Sequence, residues 1–136
     1  LEKDMTDRAV KVFDKILDLA DDPISVREEI ATLCASKGAH AYAIELYGCI
    51  LKQMPGRHDI MAKLVDAYDR AGESRKAMPY LLELEKNTEK DTGLLLKIAR
   101  IYLSIHQNAR ADQILQKVMK IEPGNREAKE LIAQCL

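Results

Sequence analysis

The chain has 136 residues, 47% hydrophobic and 32% charged, with a formal net charge of -1 at neutral pH, the size and composition of one soluble globular domain. No stretch approaches the roughly 20 uninterrupted apolar residues of a membrane span, and opposite charges alternate along the chain, leaving no sequence-independent attraction to nucleic acid or anionic lipid. Five tyrosines and one phenylalanine, with no tryptophan, are too few for a base-stacking platform or an all-β core, so helices are expected.

The first predicted element is a lone amphipathic helix over residues 5–20, with Val10, Phe13 and Leu17 on one apolar side. Beyond it the chain repeats. Gly38, Ala43, Tyr47 and Pro55 serve as a ruler. Moved along by about 34 residues, it falls on Gly72, Ala77 and Leu81, then on His106, Ala111, Leu115 and Pro123. Moved backwards it meets Ala9 and Phe13. A second set keeps the same register: Ile30-Ala31, Leu64-Val65 with Tyr68, Ile98-Ala99 with Tyr102, and Ile132-Ala133. The predicted organisation is therefore one domain over 1–136, with repeats at 24–57, 58–91 and 92–125 and a trailing helix over 126–136.

Local chemistry supports these boundaries. Gly38 and Gly72 stand where a helix stops and the chain reverses, a place for positive φ. Ala43, Ala77 and Ala111 are small enough to let two helix backbones approach. Pro123-Gly124-Asn125 joins a helix stop to a cap for the next helix. Three positions depart from the pattern. Glu89 replaces a terminal Pro, His106 occupies a turn position usually held by Gly, and Pro79 would kink its helix unless that helix starts late.

These marks resemble the tetratricopeptide repeat family, whose unit carries Leu-Gly or Leu-Ala, Tyr, a turn Gly, Ala, an aromatic residue and Pro. The resemblance covers essentially the whole chain, with Cys34 where the family has Tyr. It implies an all-α, right-handed superhelical solenoid of antiparallel helix pairs, stabilised by stacking of neighbouring repeats. It also implies that one stripe of each first helix faces a concave groove that holds a partner. In the first repeat that stripe includes Ser25, Glu28, Glu29, Thr32, Ala35 and Ser36, in the second Lys63, Asp66 and Arg70, and in the third Leu96, Lys97, Arg100 and Leu103. Leu96 and Leu103 stand out, because Leu95, Ile98 and Tyr102 already fill the core side of their helix. An exposed apolar pair rimmed by charge suggests a partner contact, although scattered surface leucines are common.

Some members of this family grip the C-terminal carboxylate of chaperones with Lys, Asn and Arg. The matching positions here carry Glu28, Thr32, Lys63, Gly93 and Lys97, and only Lys97 retains the cation, so chaperone-tail binding is disfavoured. Enzymatic readings have little support. His40, His58 and His106 lie near separate turns without metal-ligand spacing, the glycines form no phosphate loop, and Cys34, Cys49 and Cys135 sit on or beside packing positions. An odd number of cysteines without a CxxC pair argues for a reducing, cytoplasmic setting.

The expected function is thus a non-enzymatic protein-protein interaction scaffold without cofactor, binding a peptide segment or helix of a partner through Lys63, Asp66, Arg70, Leu96, Lys97, Arg100 and Leu103. The alternative is a structural or self-association segment of a longer protein, joined through its terminal helices. The start at Leu1 rather than Met leads us to expect that the segment was cut from a longer chain or processed.

Overall fold

The computed structural model describes the backbone from Lys3 to Leu136 and the side chains from Arg8 onward, and every regular element among these residues is helical. The chain divides into two compact units, Leu1–Glu73 and Ser74–Leu136. The division falls inside the 58–91 segment, which contributes one helix to each unit.

The first unit holds α1 (Lys3–Leu19), α2 (Pro23–Ser36), α3 (His40–Gln53) and α4 (His58–Arg70). Asp22 starts α2 by accepting the Ser25 N–H at 3.3 Å and the Ser25 hydroxyl at 2.7 Å. Pro23 follows in the first turn, where its missing N–H would have had no helical partner. The reversal into α3 runs through Gly38 at φ 84°, and the Ala39 N–H reaches back to the Cys34 carbonyl at 2.8 Å, the bond expected behind a left-handed helix stop. α3 packs on both α2 and α4. Its buried Ala43, Tyr47 and Ile50 join Ile30 of α2 and Ile60 and Leu64 of α4 in the core, and burial of each large apolar side chain contributes about 1.5–3 kcal/mol.

The apolar side of α1 read from the sequence is partly covered. Val10, Phe13 and Leu17 are half-buried, since α1 packs along α2 and Phe13 stacks on Tyr42 with ring centroids 6.1 Å apart. Among the described residues of α1, the large apolar side chains left in solvent are Val12, Ile16 and Leu19, 54%, 43% and 86% exposed. Spaced four and then three residues apart, they form one outer stripe.

The second unit opens with a 3₁₀ turn, Ser74–Ala77, followed by α5 (Met78–Asn87), α6 (Thr92–Ser104), α7 (Asn108–Ile121) and α8 (Arg126–Cys135). Pro79 produces no kink because α5 starts at Met78 and places it in the first turn, where no backbone donor is required. The late start leaves α5 with 10 residues, against 14 in α7. His106 adopts φ 63° and Gly72 φ 76°. At these two turns the Glu73 and Gln107 N–H groups bond the Tyr68 and Tyr102 carbonyls, each at 2.8 Å, repeating the Gly38 geometry at evenly spaced positions. Asp91 and Asn125 cap α6 and α8 through the Leu94 and Ala128 N–H groups. α6 packs on both α7 and α8, with Leu95, Ile98, Tyr102, Leu115 and Val118 in the core. Among the described residues no helix is long and apolar enough to cross a membrane.

Candidate functional site

In the first unit α2 and α4 each pack on α3, and an open groove runs between them. One part is a cavity of about 600 Å³ lined by Ser25, Glu28, Glu29, Leu33 and Lys63, together with Thr32 and Ser36. A second part of about 370 Å³ shares Thr32, Ser36 and Lys63 and adds Ala35, Asp66 and Arg70. Small residues on α2 create this space: serine, threonine and alanine side chains cannot reach across to α4. Tyr47 of α3 borders the second part, and its hydroxyl lies 3.2 Å from the Thr32 hydroxyl in a hydrogen bond.

The groove's charges are largely committed to one another. Glu28 accepts from Arg57 at 3.0 Å and from Lys63 at 3.4 Å. Arg57 also holds Asp59 through two bonds of 3.0 and 2.7 Å. Asp59 consequently has its carboxyl lowered below the ordinary range, chiefly by the Arg57 hydrogen bond, and Arg57 is raised by Asp59 first and Glu28 second. Arg70 pairs with Asp66 one helical turn away at 3.0 Å. Exposed pairs of this kind contribute only about 0–1 kcal/mol each, but they fix side-chain positions and remove bare cations from the groove. Leu33, in contrast, is an apolar side chain 50% exposed in the same cavity.

Of the residues expected to carry binding, Lys63, Asp66 and Arg70 therefore line one groove, with the α2 stripe opposite them. Leu96, Lys97, Arg100 and Leu103 belong to α6 of the second unit. There the expectation for Leu96 is corrected: it is 6% exposed and part of the core, because α6 packs on α5, α7 and α8 and buries more than one stripe. Leu103 is half-buried. Lys97 is half-buried and engaged with a neighbour, and Arg100 pairs with Glu127 of α8 at 2.9 Å. Leu96 stands in the repeat register of Glu28, and a leucine at that place fills the face that Glu28 leaves open.

Sequence reasoning missed Leu33 and Arg57. Leu33 had a signal, since it lies one turn beyond Glu29 on the polar side of α2 rather than with Ile30 and Cys34. Arg57 had none, since its pairing with Glu28 spans 29 residues and no local spacing announces it. Among the described residues no group of three His, Cys, Asp or Glu side chains is placed to hold a metal ion. Burial pushes the Cys34 and Cys135 thiols up, away from the thiolate a nucleophile needs.

No protein-family profile matches the sequence, and none of the curated proteins matches it. Solved structures do match in fold. The first TPR of Spaghetti (RPAP3), bound to the HSP90 peptide SRMEEVD, is similar at 17% identity and a TM-score of 0.70, covering 82% of this chain and 89% of that one. MamA AMB-1 is similar at 15% identity and a TM-score of 0.79, covering 95% and 70%. A tetratricopeptide repeat protein from Parabacteroides merdae is similar at 21% identity and a TM-score of 0.65, covering 90% and 48%. The fold is thus that of tetratricopeptide helix pairs.

Proposed function

We propose that the chain is a protein-interaction module in which the α2–α4 groove of the first unit holds a segment of a partner protein. The observation that carries this reading is Leu33, a half-exposed leucine set in a cavity of about 600 Å³ in which Lys63 is already paired with Glu28. Such a groove offers an apolar anchor within a polar rim, the arrangement by which partner segments are held in register. The similar repeat of RPAP3 carries a bound peptide. Here Glu28 and Thr32 replace the Lys and Asn with which chaperone-binding members hold a carboxylate, and Lys63 is drawn to Glu28, so a chaperone C-terminus does not suit this groove.

A random-peptide display selection against the wild-type chain tests the reading. Recovered peptides should bind at least about tenfold more weakly to Leu33→Asp, a loss of about 1.4 kcal/mol, while circular dichroism shows its helices unchanged. Equal binding to both forms would remove the groove from the function. A second reading, association between copies, draws on the outer stripe of Val12, Ile16 and Leu19 on α1.

A further inference from the structure

In the second unit, α5 and α7 border a smaller cleft of about 230 Å³ lined by Leu82, Glu85, Lys86, Arg110 and Lys117. Three cations surround a single carboxylate, and that carboxylate is already engaged. Tyr102, buried beneath with 0% exposure, donates its hydroxyl to Glu85 at 3.0 Å. Arg110 interacts with the same hydroxyl, so its guanidinium has a fixed neighbour and a planar fork ready for a carboxylate. Lys86 and Lys117 are exposed, and neither makes an ion pair with another described residue. The cleft is locally positive in a chain whose formal net charge is -1, so the excess is a property of this place.

The spacing of the cations selects the ligand. Arg110 and Lys117 lie two turns apart on one face of α7, a separation along the helix axis of about 10 Å. One phosphate or carboxylate does not bridge that distance. An extended peptide does so in about three residues, at roughly 3.3 Å per residue. Leu82 and the aliphatic stems of the lysines supply apolar surface between the charges. We propose that the α5–α7 cleft is a docking site for an extended acidic segment of a partner protein, with two carboxylates about three residues apart and an apolar residue between them. The site is separate from the α2–α4 groove and does not depend on the reading given to that groove.

The test uses the full chain and a fluorescein-labelled peptide in which two glutamates are separated by a leucine and a glycine, followed by anisotropy at low ionic strength. The wild-type chain and Leu33→Asp should bind it equally, and added salt should weaken binding. Lys86→Glu combined with Lys117→Glu should weaken it by about tenfold or more, and the single Lys117→Gln, which removes only one charge, should fall between. A peptide with glutamines in place of glutamates should not bind. Equal binding of that peptide, insensitivity to the lysine substitutions, or no binding to the wild-type chain would overturn the proposal. Displacement by inorganic phosphate at the peptide's own concentration would also overturn it, assigning the cleft to a single oxyanion.

Discussion

Leu96 shows how one residue's role depends on what packs against its helix. Its neighbours Leu95, Ile98 and Tyr102 mark the apolar side of α6, and a single helix's periodicity places Leu96 outside that side. Packing of more than one helix on α6 is not visible in that periodicity, and Leu96 is only 6% exposed. Replacing Leu96 with Asp should therefore destabilise the chain by about 3 kcal/mol or more, through lost burial and a carboxylate without a partner. The same change at half-buried Leu103 should cost distinctly less. Urea unfolding measures both, and an unchanged midpoint for Leu96→Asp would return that residue to the surface. Other residues were fully legible: Gly38 and Gly72 take the positive φ their turn positions demand, and His106 takes it without being glycine.

Among the elements, helix ends were easier to read than helix partners. Asn125 was recognisable as a cap residue, because a short side-chain acceptor before an apolar run has few other uses. The start of α5 was legible only as a condition set by Pro79. The side α1 buries was harder, since that helix is apolar on two sides and the sequence does not say which side meets α2. The caps also tie stability to pH. Asp22 is lowered from the ordinary 3.8, first by the Ser25 hydroxyl bond and then by the Ser25 N–H, and Asp59 is lowered chiefly by Arg57. A carboxylate with a depressed folded pKa contributes stability that is complete above its unfolded value and is lost as pH falls through the folded value. The melting temperature should therefore decline as pH drops from about 5 to about 2. Asp22→Asn, which keeps a cap acceptor but has no proton to gain, should flatten part of that decline. An identical pH profile for the variant would mean that Asp22 contributes nothing to it.

For the whole molecule, the spacing of about 34 residues was readable at the turns, where Gly38, Gly72 and His106 all take a positive φ, but the use made of equivalent positions was not. Glu28 and Leu96 occupy one place in the repeat and leave different faces, one open and one filled. No pattern of small and apolar residues announces that difference until the neighbouring helices are in place. The outer stripe of α1 carries the remaining prediction at this scale. Association between copies through that stripe expects the sedimentation-equilibrium mass to rise with concentration, and expects Val12→Asp with Ile16→Asp to hold the chain as a monomer. A monomeric wild type at every concentration would leave α1 out of assembly. The main packing pairs, finally, join helices that are adjacent in the chain or one helix apart, so native contacts close only short loops. Such a topology belongs with the fast folders, which form in microseconds to milliseconds. All four helices of the first unit are synthesised while residues of the second unit are still to be added, so the groove-bearing unit is positioned to take shape first on the ribosome.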